Sequence, residues 1–272
     1  MPLLEGRKAL VTGASQGLGA AIAHELTARG AQVLMCSRSS ERIHAAAAEI
    51  SAAVKSHGAA PGVGAWLAPL TISADVSEPD AAPTLAKTAE EAFGRLDVLV
   101  CNAGGPPPGE FTTLRDSEWE AAFRLLIMAP VRLIRACLPL LKASQAGRIV
   151  IVSSMAALQP VPRLMLSNVL RPALSGLARH LSGELGRDNI LINVVAPGFF
   201  ETERAQEVRL AIAASQKREP EAVLADLRAE VPLGRPGEPE EIGRLVAFLV
   251  SAENSYITGQ THPIDGGRST AP

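Results

Sequence analysis

Hydrophobic positions along this chain fall into two alternating rhythms. Short runs that are apolar almost throughout occupy residues 8–11, 31–36 (AQVLMC), 71–74, 96–101 (LDVLVC), 148–152 (RIVIV) and 190–195 (ILINVV), with a last short run at 261–264. Between them lie longer stretches whose apolar residues share one helical face, such as Leu18, Ile22 and Leu26 within 17–29. The first rhythm predicts strands, and the second predicts helices at 17–29, 40–54, 78–93, 117–142, 172–185 and 238–249. Ser40 is the expected N-cap of the second helix. The 117–142 helix is expected to kink or be bounded near Pro130 and to end near Pro139, because proline offers no backbone N–H. Strands without a polar face need cover on both sides, and alternation with helices supplies it. With right-handed crossovers, the expected fold class is α/β: a doubly wound parallel sheet with helices on both faces, in a single domain across residues 1–272.

Two stretches break the rhythm. Residues 57–69 (HGAAPGVGAWLAP) place small turn-forming residues around one Trp and read as a long connection between the second helix and the third strand. Residues 199–235 hold charged helical segments and no strand pattern. Ligands of doubly wound sheets bind beyond the carboxyl ends of the strands, so this stretch reads as a substrate lid. An ordinary surface helix pair is the alternative.

Charge and cysteine content narrow the function classes. The 26 basic and 28 acidic residues leave a net charge of −2, with no basic block to hold nucleic acid. No apolar run approaches the roughly 18 residues of a bilayer span, and the N-terminus lacks the charged, apolar and cleavable parts of a leader. A soluble cytoplasmic protein without a membrane partner is expected. Cys36, Cys101 and Cys137 are too scattered for a disulfide framework or a metal site, so each is expected to be a buried thiol, with no metal.

The candidate chemistry starts at residues 12–19 (TGASQGLG), between the first strand and the first helix. Glycines there permit a tight turn and let the backbone approach a pyrophosphate, while the helix start offers free N–H groups. Gly13, Ser15, Gln16, Gly17, Leu18 and Gly19 are therefore candidate phosphate contacts. The second strand ends in Ser37, Arg38 and Ser39, without the carboxylate that would take the ribose hydroxyls of NAD. Arg38 instead suits a 2′-phosphate, which favours NADP(H).

The glycine loop and the stretch from Gly147 to Gly198 resemble the short-chain dehydrogenase/reductase family. The resemblance runs over roughly residues 5–267, through Asp75-Val76, Asn102-Ala103-Gly104, Pro197-Gly198 with Thr202, and a tail that includes Tyr256. It implies a Rossmann-type fold and a nicotinamide cofactor. Asp75 and Val76 would meet the adenine. Asn102, Ala103 and Gly104 would pass beneath the adenine ribose, and Pro197, Gly198 and Thr202 would hold the carboxamide and phosphates. The tail around Tyr256 would pack near the sheet edge. Many members form tetramers through the helices after the fourth and fifth strands, so a homotetramer or homodimer is implied.

The resemblance also exposes a missing pair. The family places Tyr-x-x-x-Lys thirteen residues after a catalytic Ser. Here Ser154 is followed at that spacing by Ser167, and four residues later by Arg171. The family's helical Asn aligns with Leu126. An aliphatic hydroxyl is a far weaker acid than a phenol, and a guanidinium stays protonated, so neither replacement passes a proton readily. No second Tyr is present beyond Tyr256, and Glu201 or Glu203 from the lid are the carboxylates in reach. His24, His44, His57, His180 and His262 read as structural or exposed. The motif resembles a divergent subgroup, similar to β-ketoacyl-carrier-protein reductases, in which LSNxxR replaces the usual stretch. The run from Asn102 through Pro106, Pro107, Pro108 and Gly109 fits that subgroup and would wall the pocket.

Three functions remain open at this point. One is an NADPH-dependent reductase of a ketone or acyl thioester, with Ser154, Ser167 and Arg171 polarising the oxygen. The others are a non-redox enzyme using the same donors and an NADP-binding protein without turnover.

Overall fold

The computed structural model describes residues 3–57 and 67–270. Seven strands, β1 (Lys8–Thr12), β2 (Gln32–Ser37), β3 (Leu70–Ser73), β4 (Val98–Cys101), β5 (Arg148–Val152), β6 (Leu191–Pro197) and β7 (Thr261–Ile264), form one sheet in the order β3-β2-β1-β4-β5-β6-β7. Every neighbouring pair is parallel. The chain order reverses between β1 and β4, which places a crevice beyond their carboxyl ends.

The uniformly apolar runs explain the architecture. Strands β4 and β6 are buried at every position, and residues along β1, β2 and β5 alternate between two cores. One core packs Val11, Val33, Met35 and Val150 against α1 (Gly17–Ala28), α2 (Ser40–His57) and α10 (Pro239–Leu249). The other packs Leu10, Leu34, Ile149 and Ile151 against α3 (Ala81–Phe93), α5 (Ala129–Ala143) and α7 (Pro172–Leu185). The doubly wound expectation therefore holds. Cys36, Cys101 and Cys137 are buried and free, and burial raises each thiol above its usual range.

Local departures from the expected elements have physical reasons. The 117–142 prediction resolves into α4 (Asp116–Phe123), a π turn (Arg124–Met128) and α5. The Ala129 N–H reaches back to the Arg124 carbonyl, five residues away, and Pro130 has no N–H for the carbonyl of Leu126. Pro139 does not end the helix, which runs on to Ala143 and is buried through Leu140 and Leu141. Tertiary burial outweighs the lost hydrogen bond there. Ser40 is the first residue of α2 rather than its cap, since the Ser39 hydroxyl accepts the Arg42 N–H at 3.2 Å. The tail around Tyr256 packs near the sheet edge as expected, with the Gly259 N–H donating to Ile192 O and Asn193 Nδ2 to Ile257 O, while the Tyr256 side chain itself is 96% exposed. The long connection expected at 57–69 lies largely outside the described residues.

The 199–235 stretch folds as α8 (Glu203–Gln216) and α9 (Pro220–Ala229). Its entry is anchored: the Gly237 N–H donates to Phe199 O at 2.8 Å, and the Glu201 N–H donates to Gly237 O at 2.9 Å. Phe200 is buried against Gly237, where a Cβ would come within 2.7 Å of the ring.

Candidate active site

At the end of β1 the chain turns sharply through Gly13, whose φ of +60° lies in the left-handed region. Three residues there bond one another. The Thr12 hydroxyl donates to Asn102 O at 2.7 Å and accepts the Asn102 N–H at 3.0 Å, while Asn102 Nδ2 donates to Gly13 O at 3.1 Å. Gly19, in the first turn of α1, sits directly on this turn: a Cβ there would lie 2.0 Å from Gly13 O. The glycines thus let helix, turn and β4 close up without side chains between them. Gln16 at the N-cap makes no side-chain cap, and no acidic residue stands in the first turn. The donor set of free N–H groups, a positive helix end and a Gly-lined mouth fits a phosphate.

The neighbouring candidates surround this turn. Ser37 is buried and its hydroxyl donates to Ser39 O at 3.0 Å, while the exposed Arg38 extends from the same strand end. Arg42, which sequence reasoning passed over, donates to Gln16 Oε1 at 3.1 Å and so reaches back to the glycine loop. Its position four residues beyond Arg38, in the first turn of α2, was the available signal. Asp75 accepts both the N–H and the hydroxyl of Ser77 through Oδ1, and Val76 lies in the pocket wall. Gly198 permits close approach to Asp265, where a Cβ would sit 2.5 Å away. Thr202 caps α8 by accepting the Ala205 N–H at 3.2 Å, and its methyl group faces Gly17.

Beyond β5, Ser154 caps a short 3-10 turn (Met155–Ala157) by accepting the Ala156 N–H at 3.1 Å. This turn packs against α6 (Met165–Leu170) and α7. Asn168 clamps the incoming loop with two bonds of 2.9 Å to the Val161 backbone, and the Gly109 N–H ties the Pro-rich loop to Arg163 O at 2.8 Å. Ser167 is buried to 6% exposure in α6. Helix α6 stops before Arg171, because Pro172 has no N–H for the Asn168 carbonyl.

Arg171 departs from the simplest expectation. Its guanidinium is buried, donates one long 3.5 Å bond to Val152 O, and leaves Nε without a partner. Burial lowers its pKa to about 10, still well above neutral pH. It lines a small pocket of about 20 Å³ together with Thr12, Val76, Asn102, Ala103, Leu126 and Pro130. Arg171 therefore shares a pocket with the cofactor-side candidates, while its backbone N–H bonds Ser167 O at 3.0 Å one helical turn back. Leu126 lines the same pocket, so no side-chain amide stands there to hold a water.

A second opening, of about 370 Å³, is lined by Met155, Gln159, Pro160, Val161, Pro162, Glu230 and Arg268. Sequence reasoning missed its rim. Arg268 from the tail pairs with Glu230 at the end of α9, and the Thr270 N–H donates to Gln159 Oε1 at 3.0 Å. Glu201 is held by Arg209 at 3.1 Å, which removes it from the role of a free acid. His262 has a buried, unpartnered Nε2, and burial lowers its pKa.

Comparison with known proteins agrees with this architecture. The family model described as enoyl-(acyl carrier protein) reductase matches residues 13–269. Oxidoreductase UcpA of Escherichia coli K12 is 33% identical over 273 residues, covering 100% of this chain and 97% of that protein. The 3-oxoacyl-[acyl-carrier-protein] reductase FabG of the same strain is 33% identical over 263 residues, covering 97% of each. L-sorbose reductase from Gluconobacter frateurii, solved with NADPH and L-sorbose, superposes with a TM-score of 0.91 at 28% identity across all of both chains. The Pseudomonas aeruginosa RhlG/NADP complex gives a TM-score of 0.86 at 32% identity, covering 98% of this chain and 99% of that one. The chain belongs to the short-chain dehydrogenase/reductase family.

Proposed function

We propose that this protein is an NADPH-dependent oxidoreductase that reduces a ketone or β-ketoacyl-type carbonyl through an atypical Ser/Ser/Arg site. The observation that carries the reading is the glycine turn, closed on itself by Thr12 and Asn102 with the α1 N–H groups left free. Relatives solved with NADPH or NADP support the cofactor assignment. Gly13, Ser15, Gln16, Gly17, Leu18 and Gly19 would hold the pyrophosphate. Ser37, Arg38 and Ser39, joined by Arg42, would hold the 2′-phosphate. Asp75 and Val76 would meet the adenine, Asn102, Ala103 and Gly104 the ribose, and Pro197, Gly198 and Thr202 the carboxamide side.

The cofactor, when bound, supplies hydride. The protein's own contribution is orientation and charge. Ser154 and Ser167 would donate hydrogen bonds to the substrate oxygen, and a preorganised donor of this kind is worth about 3 kcal/mol. Arg171 would hold a ribose hydroxyl from beneath and stay charged throughout, so the proton on the product oxygen comes from water. Loss of a general acid typically slows such a step about 10²–10⁴-fold. An acyl thioester or other readily reduced carbonyl suits a site of this kind. The exposed Phe123 and Val169 fit contact faces of a homotetramer or homodimer, which sedimentation would size.

The test follows NADPH absorbance with purified protein against ketones and β-ketoacyl thioesters. Oxidation that falls in Ser154→Ala and Ser167→Ala supports the reading. Tight NADPH binding without oxidation of any substrate overturns it in favour of a cofactor-binding role, and product formed at constant NADPH overturns it in favour of non-redox chemistry.

A further inference from the structure

The pocket around Arg171 has an unbalanced charge. Its wall is made of Val76, Leu125, Leu126, Ala129, Pro130, Leu133, Ile151, Val152 and Leu174, with Thr12, Cys101, Asn102 and Ala103 as its remaining lining. None of these carries a negative charge, and Arg171 makes no ion pair among the described residues. The Thr12 hydroxyl is taken up by the Asn102 backbone, and Asn102 Nδ2 donates to Gly13 O. The guanidinium therefore has one distant carbonyl at 3.5 Å and an orphaned Nε. A buried charge without a partner costs several kcal/mol, and a removed partner is felt strongly because the remaining ion stays desolvated. A neutral carbonyl or water satisfies an N–H but leaves the charge itself uncompensated.

We propose that Arg171 forms a buried anion site, in which a small monovalent anion of halide size sits in this pocket beside the guanidinium. Two prolines shape the space. Pro130 follows the π turn around Leu126, and Pro172 opens α7 directly after Arg171. The apolar wall beside the guanidinium offers no second cation, so one small single charge is what this corner of the pocket compensates. The inference does not depend on the reductase reading, since it concerns the protein without cofactor.

The experiment measures thermal unfolding of the full chain, free of cofactor, in sodium chloride or bromide against sodium gluconate at equal ionic strength. Halide is expected to raise the midpoint saturably, by about 2–4 °C. In Arg171→Met, an apolar replacement of similar reach, the halide-specific rise should vanish. Bromide-soaked crystals supply a readout that needs no variant, with anomalous density expected beside Arg171 Nε. Equal midpoints in halide and gluconate, an undiminished rise in Arg171→Met, or bromide found only elsewhere would each overturn the proposal.

Discussion

On the β1–β4 side of the crevice, Thr12, Gly13 and Asn102 satisfy one another at 2.7–3.1 Å, and the glycines leave no room for anything between them. On the β5–α7 side, Arg171 Nε and Ser153 Oγ are buried with no partner. Both sides come from the same sheet, yet the side chains of the first close on its backbone turn, while the second keeps buried polar atoms without a partner among the described residues. Unpaired buried polar groups are expensive, so they are tolerated where a ligand takes them up. The contrast separates scaffold from chemistry more sharply than the motifs do.

Substitutions on the complete side should cost both stability and binding. Gly19→Ala puts a Cβ 2.0 Å from Gly13 O, a clash of backbone against backbone. It should cost about 3 kcal/mol or more and abolish NADPH binding, read by denaturant unfolding and fluorescence titration. Ser154→Ala, on the open side, should leave stability within about 1 kcal/mol and lower kcat about 10²-fold. If it unfolds the protein instead, the contrast fails. Replacing Arg38 and Arg42 together by Ala should weaken NADPH by about 10–10²-fold while leaving NADH unchanged, as expected for lost charge-assisted bonds. Gly17→Ala meets Thr202 only at 3.7 Å but must keep a φ of +54°, so it should cost about 1 kcal/mol, well short of Gly19→Ala.

The smallest effect lies far from the crevice. Arg235 holds the half-buried Glu241 carboxyl down to about 2, helped by the Glu238 N–H. A lowered carboxylate pKa adds stability above its usual value near 4.5 and loses it as pH falls toward 2. Glu241→Gln should therefore cost under about 1 kcal/mol at pH 7, with the difference vanishing near pH 2 in urea titrations.

The sheet was legible because parallel strands buried on both faces must be apolar throughout, as in β4 and β6. The glycine turn was legible because the steric demand falls on named positions. Helix ends were less so: Pro139 stays inside α5 because Leu140 and Leu141 are buried, a fact of packing that no local rule carries. The pairing of Glu230 with Arg268 and of Gln159 with Thr270 joins residues far apart in sequence, so spacing could not signal it. The aim of Arg171 was hidden for a similar reason. Its guanidinium donates to Val152 O on β5, nineteen residues away in sequence.

Pro172 bears on how this chain can change over generations. Exchanging Ser167 and Arg171 for Tyr and Lys alters two side chains, yet Pro172, Leu126 and Pro130 still shape the backbone on both sides of them. A change at either position is therefore received by a backbone whose bends are already set by Pro130 and Pro172.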